Sequence, residues 1–309
     1  MTDLILHHYP LSPFAEKIRL ILGFKRLEWR SVQIPVTLPK PDLVALTGGY
    51  RRTPVLQIGS DIYCDTALIV DVLEQLAPVP TLYPAAHEGL ARVVAQWADG
   101  QLFQAAMAYN FQPDGARQLF PDPEQLKVFV ADRTAMRNNV PRMPQADATG
   151  AYLSYLRRIS SMLEQSPFLL GDVPSIADFS AYHPLWFTRT QVTTLASILE
   201  TFPVVLDWMD RMAAIGHAAS APMSATQAID IANAAVPASF ADEIHQDDHG
   251  IPLGAPVTIT AESFGLEQTA GELVAATRTR YTLRRNDSRA GWVHVHFPRV
   301  GYLMKPADA

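Results

Sequence analysis

A single cysteine, Cys64, among 309 residues excludes an internal disulfide, a CxxC redox pair and a cysteine-built zinc site, so packing alone must hold the fold. Neither sign of charge dominates. Lys and Arg number 25 against 31 Asp and Glu, a net of −6 that argues against nonspecific binding to nucleic acid or anionic lipid. No stretch approaches the roughly 18 uninterrupted apolar residues that a membrane span requires, and Met1 to His8 lacks the basic n-region of a signal peptide. These absences describe a cytoplasmic protein with small or neutral partners, no nucleic acid and no membrane. What is present, 48% hydrophobic against 18% charged residues, is the balance of a globular chain and excludes a disordered one.

The order of periodic segments predicts the architecture. Leu4 to Tyr9 reads as a short strand, and Ser12-Pro13 as the N-cap and first position of a helix. In that helix Phe14, Ile18, Ile21 and Leu22 make the apolar face, Glu16, Lys17 and Arg19 the polar one, and Gly23 the stop. Trp29 to Ile34 is a second strand, followed by a short helix over Asp42 to Leu46. Val55 to Ile58 and Ile62 to Cys64 flank the turn Gly59-Ser60-Asp61 as a hairpin, and Asp65-Thr66 opens a helix lined by Leu68, Ile69, Val72, Leu73 and Leu76. Beyond Ala77-Pro78-Val79-Pro80 the period is helical only, with helices expected over Glu88 to Tyr109, Glu124 to Arg137, Ala148 to Gln165, Ile176 to Arg189, Pro203 to Ala214 and Ser224 to Ala235. From Ile251 it alternates again, predicting a small antiparallel sheet or barrel. The expected domains are 1–79, 84–238 and 250–309.

Three motifs in order carry a resemblance: Ser12-Pro13-Phe14-Ala15-Glu16-Lys17-Ile18-Arg19; Arg52-Thr53-Pro54-Val55-Leu56 with Asp65-Thr66; and Gly171-Asp172-Val173-Pro174-Ser175-Ile176-Ala177-Asp178-Phe179. Over residues 3 to 235 the chain resembles the serine-type glutathione transferases. The resemblance implies a thioredoxin-like N-terminal domain and an all-α second domain, to which the sequence adds a β-rich segment. It also implies a detoxifying transferase with glutathione as co-substrate, a small hydrophobic electrophile, no metal, and a homodimer.

The chemistry fits the residue types. A thiol with a pKa near roughly 8.5 is mostly protonated at neutral pH, so Ser12, donating a hydrogen bond at a helix N-terminus, is the expected catalytic stabiliser of the thiolate. Its plainer role is a helix cap. Phe14, Arg52, Thr53, Pro54, Asp65 and Thr66 are the expected glutathione-binding residues: Thr53 through its backbone beside a Pro54 that the resemblance makes cis, Asp65 through the ligand ammonium, and Thr66 at the helix start. Asp-Thr replaces the family's usual Glu-Ser. Phe103, Met107, Tyr109, Phe111 and Trp186 are the expected electrophile pocket, although aromatic residues at helical spacing are often plain core.

Ala15 stands where a resolving cysteine would be, so thiol-disulfide chemistry is not expected. Ser175 with Asp178 reads as a structural capping box. His245 with His249 and His294 with His296 would need to converge with a further ligand to hold a metal, and no metal is expected; Arg278, Arg280, Arg284, Arg285, Arg289 and Arg299 read as solvated surface. Two alternatives stand beside the transferase: a glutathione-dependent isomerase or lyase, and a noncatalytic binding or scaffold protein on the same fold.

Overall fold

A computed structural model describes residues 3–137, 141, 143–240, 244–246 and 248–307. The first part runs β1 (Leu4–His8), α1 (Pro13–Phe24), β2 (Trp29–Gln33), α2 (Pro41–Thr47), β3 (Val55–Ile58), β4 (Asp61–Cys64) and α3 (Thr66–Leu76). β1 pairs parallel with β2 and antiparallel with β3, and β3 pairs antiparallel with β4, the thioredoxin-like arrangement that the segment order predicts.

The helical part comprises α4 (Glu88–Trp97), α5 (Phe103–Asn110), α6 (Pro113–Leu119), α7 (Pro123–Arg137), α8 (Gln145–Met162), α9 (Ile176–Trp186) and α10 (Pro203–Ala213). The expected continuous helix from Glu88 to Tyr109 is found, with a π-helical stretch, Ala98–Leu102, between α4 and α5, and α9 ends in another, Phe187–Gln191. The buried Asp178 carboxylate accepts hydrogen bonds from the Ser175 backbone at 2.9 Å, the Leu169 backbone at 2.8 Å and the Trp208 indole at 3.0 Å. That confirms the structural reading of the capping box.

Two expectations for α1 change. The helix continues one residue past Gly23, whose small size serves packing instead: a Cβ there would lie 1.9 Å from the Gly216 carbonyl oxygen. Glu16, Lys17 and Arg19 are not a solvated face but are buried under the helical part. Lys17 pairs with Asp99 at 2.6 Å, and Glu16 with Arg19 at 2.7 Å and with the His217 ring at 3.0 Å. Periodicity marks the apolar stripe of a helix but cannot show that a second layer covers the polar one.

After α10 the chain returns to the first part. β5 (Ser220–Pro222) joins β2 in parallel, and α11 (Ala225–Ala234), expected within the helical bundle, packs on α2. The C-terminal strands are β6 (Pro256–Ala261), β7 (Thr269–Ala276), β8 (Arg280–Asp287), β9 (Gly291–Pro298) and β10 (Tyr302–Pro306). They form the expected antiparallel sheet, in the order β10-β6-β7-β8-β9. β9 pairs parallel with β4, giving one ten-stranded sheet in the order β10-β6-β7-β8-β9-β4-β3-β1-β2-β5.

Two cores follow. One joins α1 and α3 to the helical part; the other joins Leu43, Leu46, Tyr50, Val55 and Ile62 to Val257, Leu273, Leu283, Val295 and Phe297 of the β-rich segment. Contact there is close enough that a Cβ on Gly49 would stand 2.2 Å from the Gln268 carbonyl oxygen. Of the tail arginines Arg278, Arg284 and Arg289 are exposed, as expected, although Arg289 pairs with Asp42 at 2.6 Å, whereas Arg285 donates to the Ala45 carbonyl oxygen and Arg299 reaches Asp248 and the Gln246 carbonyl oxygen. Among the described residues no helix is long and apolar enough to cross a membrane.

Candidate functional site

Ser12 ends the β1–α1 turn with extended backbone, is 2% exposed, and accepts a hydrogen bond from the Ala15 backbone N–H at 3.2 Å. That is the geometry of an N-cap. Phe14, one turn in, meets Phe103 at a ring separation of 4.7 Å and His183 at 4.6 Å, so one of the expected pocket residues does reach the first part. Tyr109 and Phe111 do not join them. The Tyr109 hydroxyl donates to the Leu195 carbonyl oxygen and its ring packs on Tyr152, while Phe111 stacks between Phe129 and Phe187. Met107 and Trp186 are partly buried against the helical core, with the Arg19 guanidinium 5.9 Å from a Trp186 ring.

The second half of the site lies where β3 begins and α3 starts. The Thr53–Pro54 bond is cis, as the resemblance implies. Asp65 caps α3, accepting from the Ala67 backbone N–H at 2.9 Å, with a backbone φ of +74° that non-glycine residues rarely adopt. Thr66 is buried at the first helical position. A helix start with a flanking carboxylate and guanidinium is a polar cradle, and here the chain itself occupies part of it while Arg52 Nη2 has no hydrogen-bond partner among the described residues. The Tyr302 hydroxyl donates to Asp65 Oδ2 at 2.9 Å, and Arg52 Nε donates to the Phe264 carbonyl oxygen at 2.6 Å. The Arg52 guanidinium carbon lies 5.6 Å from the Tyr302 ring centroid, and its Nη1 is 3.8 Å from Asp65 Oδ2.

Two neighbours were not singled out from sequence. Arg51, 4% exposed, pairs with Asp132 of α7 at 2.6 Å and also with Glu267. Lys40, equally buried, reaches only the Arg51 carbonyl oxygen at 3.3 Å and Thr53 Oγ1 at 3.5 Å; burial, reinforced by the nearby Arg133 guanidinium, pushes its pKa down to about 8. A lysine in the Pro-rich run 39–41 carries no periodic signal, so only the folded loop reveals it. Elsewhere Asp61 accepts from His296 Nε2 at 3.0 Å with His294 Nδ1 3.6 Å away, and against the opposing effect of burial these two rings hold its carboxyl well below the usual range. His294 and His296 thus face a carboxylate across the β4–β9 seam.

A thioredoxin-like unit followed by a helical bundle defines the glutathione transferase fold class. The N-terminal glutathione S-transferase domain matches residues 6–81 and the C-terminal domain matches residues 135–211. A GST-like protein from Pseudomonas syringae, known from a crystal structure, is 44% identical, with 99% of this chain and 100% of that one covered at a TM-score of 0.81. The chain belongs to the glutathione S-transferase family, and the β-rich segment is part of the shared architecture of these two proteins. A Tau-class glutathione S-transferase from mango, Mangifera indica, is 16% identical over 69% of this chain and 89% of that one at a TM-score of 0.52, a likeness of fold alone.

A curated relative, FtsZ-localized protein A from Caulobacter vibrioides, is 25% identical over 181 residues, covering 57% of this chain and 73% of that protein. This likeness overturns the expected catalytic role. The reading as a detoxifying transferase with glutathione as co-substrate and a small electrophile as partner is corrected accordingly: the curated relative is named for where it localises with FtsZ, not for a conjugation reaction.

Proposed function

We propose that this chain is a noncatalytic binding or scaffold protein of the glutathione transferase fold, working in the cytoplasm through protein contacts. The observation that carries this reading is the Tyr302 hydroxyl on Asp65, with the Phe264 carbonyl on Arg52: a ligand seated on Asp65 Oδ2 and Arg52 Nε would have to displace both. Displacement leaves buried polar groups to be re-paired, at a cost of about 1 to 3 kcal/mol each. In this reading Ser12 serves as the cap of α1, and Phe14 with Phe103 as packing between the two parts. Thr53, Pro54 and Thr66 shape the start of β3 and α3. The division 1–79, 84–238 and 250–309 stays a proposal about stretches of sequence, since β5, α11 and the C-terminal strands all pack on the first part; residues 1–2, 138–140, 142 and 308–309 lie outside the described residues.

The test is calorimetry of the full chain with millimolar glutathione, alongside conjugation of a nitroaryl halide. The expected result is neither binding heat nor turnover above that of Ser12→Ala. Binding with Ser12-dependent turnover would overturn the proposal. A filament of FtsZ is the first protein partner to examine by co-sedimentation, because the name of the curated relative places that protein there.

A further inference from the structure

Helix α7 is attached unlike any other long helix of the molecule. Of its fifteen residues, Met136 alone is buried, and Val128 stands 54% exposed. Its middle is held by aromatic packing, with Phe129 stacked on Phe111 at 5.4 Å and tilted against Phe120 at 4.6 Å. Its C-terminal end is held by polar groups. Asp132 Oδ1 accepts from Arg51 Nη1 at 2.6 Å and from the Leu38 backbone N–H at 3.3 Å. Arg133 donates to the Val36 carbonyl oxygen at 3.1 Å and to the Tyr9 hydroxyl at 3.3 Å, and the Met136 carbonyl oxygen accepts from the Gly265 N–H at 2.8 Å. These partners lie on the first part and on the β-rich segment, so one helix ties all three regions together over the loop that carries Lys40 and the turn Arg51-Arg52-Thr53.

We propose that α7 is a strap: its end closes over the Tyr9, Lys40 and Arg51 surface through Asp132 and Arg133, and opens as a unit while the sheet stays folded. A helix with so little apolar burial contributes little to the global core, and segments with few buried contacts open locally at free energies well below that of global unfolding. Arg51 is the latch. Its guanidinium is buried between Asp132 and Glu267, so removing the Asp132 charge weakens the strap's hold while Glu267 still neutralises Arg51. When the strap is open, Tyr9 and Lys40 lose the cover of the Arg133 side chain, so the strap controls access to this part of the cleft.

Amide hydrogen exchange on the full chain, read by mass spectrometry, tests the strap. In the wild type the amides of 130–137 should exchange at least about 100-fold faster than those of β1, β3 and β8, and should do so independently of low denaturant. Asp132→Asn should speed them about tenfold further and leave the strands unchanged. Wild-type exchange of α7 in step with β3 overturns the proposal. So does an Asp132→Asn protein with unaltered α7 exchange, or one in which only Phe129→Ala releases the helix, because the aromatic packing and not the ionic end would then be the hold.

Discussion

The Tyr302 hydroxyl and the Asp65 carboxylate meet at 2.9 Å across 237 positions of sequence, fixing the last strand of the sheet to the cap of α3. Tyr302 also lies 3.4 Å from the Tyr50 hydroxyl, and burial beside Asp65 drives its own pKa upward, so it stays a neutral donor. Replacing it by phenylalanine keeps the ring and removes the donor. Tyr302→Phe should therefore destabilise the protein by about 1 to 2 kcal/mol, the net worth of a hydrogen bond to a charged group. Tyr302→Ala, which also opens a cavity, should cost about 3 to 5 kcal/mol. Urea unfolding followed by tryptophan fluorescence reads both.

Cutting the chain after Ala235 removes β6 to β10, and with them the pairing along β4 and the apolar cover of Leu43, Leu46, Tyr50, Val55 and Ile62. From sequence, residues 3 to 235 look like a complete transferase, and the tail looks ready to dock on the helical part or on another subunit. The structure instead makes the tail half of a core. The truncated chain should be insoluble or aggregated, exposing both a sheet edge and a large apolar face. Light scattering of a monodisperse truncated chain would show that the first part tolerates this exposure.

The β-α-β-α-β-β-α order and the helical bundle were legible because each element carries its own period and punctuation, as Ser12-Pro13 and Asp65-Thr66 do. What escaped is long-range. No local pattern says that the edge of β4 is paired by β9, that Glu16 and Lys17 are roofed over, or that Tyr302 reaches Asp65. The candidate site was accordingly half readable. Ser12, Thr53, Asp65 and Thr66 are placed near helix and strand starts as their types suggest, but the groups that occupy their neighbourhood come from 200 or more residues away. An Asp at a helix start looks the same in sequence whether a ligand or a tyrosine meets it.

Gly23 offers a clean test of packing inside a helix. With ordinary helical backbone, alanine there would be favoured by roughly 0.5 to 1 kcal/mol on propensity. The added Cβ would, however, fall 1.9 Å from the Gly216 carbonyl oxygen, a backbone atom that cannot swing away. The collision wins: Gly23→Ala should lower stability by about 2 kcal/mol or more, as overpacking does. A thermal melt with an unchanged or higher midpoint would contradict this.

Four buried histidines with lowered pKa values, His7, His8, His183 and His296, set the pH behaviour. Burial, partly opposed by the Gln57 hydrogen bond, lowers the pKa of His7 to about 4. Burial with the Arg19 charge lowers His8 to about 3, and burial, against the pull of Asp61, lowers His296 to about 4. Each depressed folded-state value means that the unfolded chain takes up the proton first, beginning near pH 6.5. Stability is therefore fully present above that pH and is lost as the pH falls toward 4. By pH 5 each of His7, His8 and His296 should have cost about 2 kcal/mol, and these three together approach the 5 to 15 kcal/mol that a folded protein has in total. Urea midpoints should drop steeply between pH 7 and pH 5. His296→Gln retains a donor for Asp61 without a titrating ring, so it should flatten that slope; an unchanged slope would remove His296 from the acid response.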